Sequence, residues 1–197
     1  MLSLPLKQKA IIGLKNGDLG VSNDVDIPTL EDDMILVKNK AVALNPSDTK
    51  FVGRLGCPGA VAGMDYAGEV LAVGSKYQTA ADIKVGDRVC GAVLGMDPDR
   101  PNVGAFAEYV GAADIVTMKI PEIMSYEQAA TLGSGISTIG LALFKSLQVP
   151  GTPRSPAEKS VDVLVYGGST STGVLATQLL KLQVTCFHNS ELQVGSC

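Results

Sequence analysis

The spacing of apolar residues along the chain changes near Ser125. Before this residue, short apolar runs alternate with Gly, Pro, Asn and Asp, a pattern that predicts an all-β barrel or sandwich. After it, apolar residues recur at helical spacing through residues 136–147, and Ser125 with Gln128 forms a capping-box signature for a helix start. The chain is therefore predicted to begin with a β-rich region and to continue with helices.

Six apolar runs in the first region are predicted to be strands, and Gly86-Asp87 is predicted to form a tight turn. The runs begin at Lys9, Met34, Tyr66, Asp87, Gly104 and Ile115. Gly133 and Gly135 interrupt the helical pattern, which predicts two short helices or one broken helix.

Residues 163–182, "VLVYGGSTSTGVLATQLLKL", predict a strand, a glycine turn and a helix. Residues 161–166 have the apolar character of a strand buried on both faces of a parallel sheet. The helix, predicted over residues 172–182, would present its N-terminal amides to a phosphate group. Thr170 stands where a middle glycine usually lets a pyrophosphate approach the backbone, so a phosphate site and a purely structural turn remain equally open. Glu191 is the single acid near the position that reads the ribose in NAD enzymes, which disfavours NAD.

Composition excludes several classes of function. The net charge is −4 without a long basic run, so nucleic-acid binding has little electrostatic support. No apolar run approaches the roughly 18 residues of a membrane span, and no secretory segment follows Met1, so a cytoplasmic location is expected. The four cysteines form no CxxC pair and are expected to be free thiols.

Six motifs stand in a characteristic order: "ALNPSDTK" (43–50), "GMDYAGEVLAVGS" (63–75), "VGDRVCG" (85–91), "GAFAEYV" (104–110), "EQAATLGSGISTIGLAL" (127–143) and "VLVYGGSTSTG" (163–173). Together they resemble the medium-chain dehydrogenase/reductase superfamily. Within it, the sequence is most similar to the fungal trans-acting enoyl reductases of polyketide biosynthesis, which are relatives of the quinone oxidoreductases.

The resemblance implies a mainly β GroES-like domain followed by the start of an α/β Rossmann domain. The β domain with its connecting helices would cover residues 1–147, a Pro- and Ser-rich linker residues 148–160, and an incomplete NADPH-binding domain residues 161–197. Because the family's Rossmann domain is longer, the chain is expected to be C-terminally truncated. A truncated chain is expected to bind NADPH weakly and to have negligible turnover.

The resemblance also implies the site residues, although no catalytic residue is identified. The residues expected to bind the cofactor are Asn45, Ser47, Asp48, Thr49, Lys50, Gly168, Ser169, Thr170, Ser171 and Thr172. The residues expected to bind the substrate are Thr138, Ile139 and Gly140, with Lys50 and Thr138 as candidates for positioning it. Lys50 could meet the phosphate of a carrier-protein phosphopantetheine arm. Without the resemblance, residues 45–50 predict a capped turn, and Ile139 a core position.

Zinc is not expected. Met64 stands where zinc-dependent members carry a histidine, and the single histidine of the chain is His188. A catalytic zinc needs about three protein ligands. Asp65, beside Met64, is expected to have a structural or cleft-wall role.

Three functions remain open. The first is NADPH-dependent reduction of an enoyl thioester, acting in trans with a polyketide synthase. The second is a quinone or alkenal reductase acting on free small substrates. The third is a non-catalytic truncated product.

Overall fold

The computed structural model describes residues 4–51, 56–77, 82–113, 116–159, 161–183 and 188–189. The chain divides into two compact units, Met1–Ser134 and Gly135–Cys197. The first unit consists mainly of β-strands, and the second combines helices with a short parallel strand pair. This arrangement confirms the predicted fold class. The sequence had grouped residues 135–147 with the β domain, whereas in the structure they are part of the second compact unit.

The first unit contains an antiparallel hairpin and a five-stranded antiparallel sheet. The hairpin pairs β1 (Lys7–Gly13) with β2 (Leu19–Asp26). The sheet has the order β6-β3-β4-β5-β7. Its strands are β3 (Ile35–Ala43), β4 (Asp65–Val73), β5 (Arg88–Ala92), β6 (Tyr109–Ala112) and β7 (Met118–Lys119).

Alternate residues of the sheet face the main core of this unit. Ile35 and Val37 from β3, Tyr66 and Val70 from β4, and Val89 from β5 are essentially inaccessible to solvent. The opposite face of β4 and β5 carries a second buried cluster, which includes Ala67 and Cys90, so much of these two strands is buried on both faces. The hydroxyl of Tyr66 is satisfied by Thr117 Oγ1 at 2.8 Å, as a buried tyrosine requires.

One strand was not predicted, and one predicted strand begins later in the chain than expected. The sequence did not predict β2, in which only Val25 is buried, because polar residues fill most of its exposed face. The run beginning at Gly104 forms a strand only from Tyr109, since its first residues make irregular hydrogen bonds to β1 instead, such as Ile11 N to Phe106 O at 2.8 Å. Gly86, with a φ of 88°, does form the predicted turn.

The helical region is interrupted, as predicted. A short 3-10 helix at Asp48–Phe51 precedes β4, and α1 (Tyr126–Ala130) and α2 (Gly133–Gly140) follow β7. A π-helical stretch, Leu141–Ser146, continues α2. The capping box at the start of α1 is confirmed: Gln128 N donates to Ser125 Oγ at 3.2 Å and Ser125 N to Gln128 Oε1 at 3.0 Å.

The second unit contains β8 (Leu164–Val165), α3 (Ser171–Gln183) and β9 (His188–Asn189). β8 and β9 pair in parallel, so the three elements form a small βαβ unit. Its core consists of Ile139, Leu143, Ala176 and Leu180 with apolar residues of the strand region packed against them.

The prediction that residues 161–166 are buried on both faces is wrong. Val161, Val163 and Val165 pack against the core of the second unit, whereas Leu164 is 72% exposed and Tyr166 92% exposed. Burial on one face makes the exposure of these residues alternate, and the paired strand shortens to two residues.

Candidate functional site

The turn at residues 45–50 is closed by its own side chains. Asn45 N donates to Asp48 Oδ2 at 2.7 Å, and Asp48 N donates to Asn45 O at 3.0 Å. Thr49 Oγ1 donates to Pro46 O at 2.8 Å. Asp48 is buried, whereas Thr49 and Lys50 are exposed. The capped-turn interpretation therefore accounts for the polar contacts of Asp48 and Thr49, and Lys50 is accessible to a ligand.

Asp65, the first residue of β4, connects this turn to the start of α2. Its side chain is buried, with 1% of the residue exposed. Asp65 Oδ2 accepts a hydrogen bond from Asn45 Nδ2 at 2.7 Å, and Oδ1 accepts one from Ser134 N at 2.6 Å. One carboxylate thus fixes two segments that are distant in sequence. Sequence reasoning gave Asp65 only a structural or cleft-wall role and could not identify these two partners.

The surroundings of Asp65 disfavour further negative charge. Burial raises the pKa of Asp48, the hydrogen bond from Asn45 N opposes this, and the charge of Asp65 raises the pKa further. Burial, aided by the charge of Asp65, raises the pKa of the Cys90 thiol to about 11. Among the ion pairs that the described residues form, none includes Asp48 or Asp65. Cys90 is therefore an unreactive thiol near neutral pH.

Ser47 and Met64 meet beside this cluster. Ser47 Oγ lies 3.5 Å from Met64 Sδ, as a hydroxyl donor to a thioether. Met64 thus occupies the position at which zinc-dependent relatives were expected to carry histidine. Its thioether is a poor ligand for zinc. Within the described part of the chain, no group of three or more His, Cys, Asp or Glu residues is arranged to hold a metal ion.

The glycine loop of the second unit turns through Gly167, whose φ is 79°. Thr170 Oγ1 donates to Gly167 O at 2.7 Å and accepts from Gly173 N at 3.1 Å. The hydroxyl of Thr170 thus caps α3, which explains why a threonine stands at this position. Ser169 and Ser171 are exposed on either side of it, at the positive end of the helix dipole. A Cβ on Gly173 would collide with Gly167 O, so glycine is needed there for α3 to approach the loop.

The predicted site residues therefore fall into two groups. Asn45, Ser47, Asp48, Thr49 and Lys50 belong to the first unit and share one turn, which Asp65 anchors. The loop residues Gly168 to Thr172 and the α2 residues Thr138, Ile139 and Gly140 belong to the second unit. Ile139 lies in the core of that unit, which favours the core interpretation of this residue, whereas Thr138 is exposed. Glu191 lies outside the described residues.

Sequence comparison places these features among known proteins. Residues 31–122 match the alcohol dehydrogenase GroES-like domain family. The chain is 59% identical over 198 residues to trans-enoyl reductase FSL5 of Gibberella zeae, covering 98% of this chain and 55% of that protein. The chain is a homologue of the fungal trans-enoyl reductases. It spans about half the length of the curated relatives it matches.

Solved structures agree with this assignment. A quinone oxidoreductase from Coxiella burnetii superimposes with a TM-score of 0.68 at 28% identity, over 93% of this chain and 55% of that one. A mycobacterial protein solved in complex with NADPH superimposes with a TM-score of 0.66 at 28% identity, over 92% and 52%. The similar proteins are named as a trans-enoyl reductase and a quinone oxidoreductase, and one of the similar structures was solved with NADPH. Among the described residues, no helix has the length and apolarity to cross a bilayer.

Proposed function

We propose that the chain is part of an NADPH-dependent enoyl reductase that reduces an α,β-unsaturated thioester carried by a polyketide synthase. The observation that carries this proposal is the 59% identity to a trans-enoyl reductase over 98% of the chain. Identity at this level, spread over nearly all of the chain, is a closer relation than the 28% identity to the quinone oxidoreductase. The same similarity supports the proposal that the substrate is bound to a carrier on a separate synthase.

Two groups of residues would bind a nicotinamide dinucleotide, one in each compact unit. The exposed Ser169 and Ser171 at the N-terminus of α3 offer hydroxyls and backbone amides to a pyrophosphate. In the first unit, Asn45 would contact the nicotinamide end of the cofactor. Asp65 holds the side-chain amide of Asn45 in one orientation, because Asn45 Nδ2 donates to Asp65 Oδ2 at 2.7 Å. Ser47 is half-buried in the same turn and would contact the same end of the cofactor.

Enoyl reduction adds a hydride to the β-carbon of the substrate and a proton to its α-carbon. When bound, NADPH supplies the hydride. The negative charge that forms on the thioester carbonyl oxygen during this addition needs preoriented hydrogen-bond donors. Thr138 is an exposed hydroxyl in α2 and is the candidate for orienting the substrate. Lys50, exposed at the end of the 3-10 helix, would bind the phosphate of the pantetheine arm.

Quinone reduction is the second candidate, because quinone oxidoreductases are among the solved structures of similar fold. Reduction of a free quinone needs no recognition of a carrier arm. The two activities therefore differ in whether a phosphopantetheine group on the substrate increases the rate.

A chimaera tests the proposal: this chain joined to the part of FSL5 that lies outside the matched span. NADPH oxidation is followed by absorbance with crotonyl-phosphopantetheine, with crotonyl-pantetheine lacking the phosphate, and with benzoquinone. We expect the highest kcat/KM for the phosphorylated thioester. Reduction of benzoquinone alone would replace the proposal by the second candidate, and the intact FSL5 protein serves as the positive control.

A further inference from the structure

Both Ser/Thr-Pro pairs of the sequence lie in one surface loop of the second unit. They are Thr152-Pro153 and Ser155-Pro156, with Arg154 between them. All five residues are exposed. Proline-directed protein kinases phosphorylate a serine or threonine that is followed directly by proline. The loop therefore combines the sequence that such a kinase recognises with an accessible position.

The two ends of this loop are held together, and we call Gly151, Ala157 and Gln183 its base. Ala157 N donates to the carbonyl oxygen of Gln183, the last residue of α3, at 2.8 Å. Ala157 and Val149 pack against the core of the second unit. Gly151 has a φ of 84°, and a Cβ there would lie 2.5 Å from Ala157 N. Residues 152–156 are thus displayed from a closed base.

The displayed residues are held by exposed hydrogen bonds. Thr152 N donates to Ser155 O at 2.9 Å, and Ser155 N donates to Thr152 O at 3.0 Å. Since residues 152–156 bury no side chain, local opening of this segment exposes no core. A kinase binds its substrate as an extended segment, and the proline after Ser155 favours an extended backbone at this residue. The loop can therefore enter a kinase while its base stays closed.

Ser155 is the better phosphate acceptor of the two hydroxyl residues. Thr152 Oγ1 accepts a hydrogen bond from Ser155 N at 3.1 Å, and Thr152 directly adjoins Gly151 at the base. Among the described residues, no group forms a hydrogen bond with Ser155 Oγ. The Ser155 hydroxyl is therefore both exposed and available for reaction.

We propose that Ser155 is a phosphorylation site for a proline-directed serine/threonine kinase. Ser155 Oγ forms a bond to the γ-phosphorus of ATP, and the bond between that phosphorus and the β,γ-bridging oxygen breaks. ADP leaves, and the hydroxyl proton passes to the catalytic base of the kinase. The proposal concerns modification of the loop and does not depend on the reductase activity.

Phosphorylation is expected to weaken the base of the loop. Phosphoserine carries a charge of about −1.5 to −2 near pH 7. Ser155 is two residues from Ala157, a span of at most about 7 Å, and Ala157 contacts the C-terminal carbonyl of α3 at Gln183. The C-terminus of a helix is the negative end of its dipole, so it repels the phosphate. An exposed ion pair with Arg154 would offset little of this repulsion.

Kinase treatment of the purified chain tests the proposal. The chain is incubated with Mg²⁺, ATP and a mitogen-activated protein kinase, which is proline-directed, and tandem mass spectrometry locates the phosphate. We expect phosphate on Ser155. Ser155→Ala and Pro156→Ala are each expected to lower its incorporation at least tenfold. Thr152→Val, the matched control, keeps the Ser155-Pro156 pair and is expected to leave incorporation within about twofold of the wild type.

Phosphate on Thr152 and not on Ser155 overturns the proposal, as does incorporation that Pro156→Ala leaves unchanged. Absence of phosphate from the chain also overturns it, with a peptide of residues 150–159 as the positive control for the kinase. Amide exchange at Ala157, measured by NMR, is expected to be at least threefold faster in the phosphorylated chain. Equal exchange in both forms would contradict the weakening of the base. Far-ultraviolet circular dichroism verifies that the variants remain folded.

Discussion

At the scale of single residues, Asp65 carries two hydrogen bonds that an amide cannot both keep. Its oxygens accept from Asn45 Nδ2 and from Ser134 N, and an asparagine side chain has a single oxygen. In Asp65→Asn, one donor therefore faces the Nδ2 group. We expect this variant to lose about 1–3 kcal/mol of unfolding free energy, measured by urea denaturation.

The matched control for this variant is Asp99→Asn, because Asp99 is exposed. Its unfolding free energy is expected to stay within about 0.5 kcal/mol of the wild type. Equal stability of Asp65→Asn and Asp99→Asn would show that Asp65 does not hold the two segments. The amides of Asn45 and Ser134 should exchange faster in Asp65→Asn, which locates the loss.

Ionisation of Asp48 is expected to lower the stability of the protein as pH rises, which is opposite to the effect of most surface carboxylates. Its pKa is raised in the folded state, first by burial and then by the charge of Asp65, so the folded protein holds this proton more tightly than the unfolded chain. Its contribution to stability is greatest below the unfolded pKa, near 3.8, and is lost as pH rises through the raised folded pKa.

Asp48→Asn removes this titration while keeping an oxygen that can accept from Asn45 N. As pH rises above about 4, the variant is therefore expected to gain stability relative to the wild type. Paired urea denaturation curves from pH 3.5 to 7 measure the difference and cancel the other carboxylates. A difference that moves in favour of the wild type with rising pH would contradict the raised pKa.

At the scale of elements, substitution by alanine is expected to change stability in opposite directions at two glycines of α2. A Cβ on Gly133 would collide with Gly91 O and lie 2.7 Å from Asp65 Oδ1, whereas a Cβ on Gly140 meets nothing within 4 Å. Gly133→Ala is expected to destabilise the protein by about 1–3 kcal/mol. Gly140→Ala is expected to stabilise it by about 0.5–1 kcal/mol, because alanine is the better helix former.

Thermal unfolding of the two variants measures these changes, and each serves as the other's control. Destabilisation by both would mean that helix α2 does not tolerate a methyl group at either end. Stabilisation by both would mean that the close approach of Gly133 to β5 can relax without loss.

The hydroxyl of Thr170 in the glycine loop is expected to stabilise α3 by capping its N-terminus. This hydroxyl accepts from Gly173 N at 3.1 Å, in the first turn of α3. Thr170→Ala is expected to lose about 0.5–2 kcal/mol, and Thr170→Ser, which retains the hydroxyl, should lose much less. Amide exchange in α3 is the measurement. Identical exchange in Thr170→Ala and in Thr170→Ser would exclude a capping role.

Elements with a strong local signal were predictable from the sequence. The short apolar runs between turn residues predicted β1, β3, β4 and β5, and the Ser125–Gln128 pair predicted the start of α1. β2 was not predicted because its exposed face is polar and only Val25 is buried. The exposed face at Leu164 and Tyr166 was not predicted either, because an apolar run does not reveal which of its faces a helix covers.

At the scale of the whole molecule, the order of motifs indicated the family before any contact was visible. The geometry of the candidate site was less predictable. The motif around Asn45 identified the turn, but its anchoring by Asp65 joins residues far apart in sequence, which no local pattern encodes. The NADPH and substrate roles of the individual residues stay predictions.

Deuterium transfer in the chimaera with FSL5 shows whether the reductase adds hydride from NADPH to an enoyl thioester. NADPH labelled at the transferable C4 position is incubated with crotonyl-phosphopantetheine, and the product is examined by mass spectrometry and NMR. We expect a saturated butyryl thioester with one deuterium on its β-carbon. A thioester recovered unsaturated and unlabelled, while benzoquinone consumes the same labelled NADPH, would contradict this expectation.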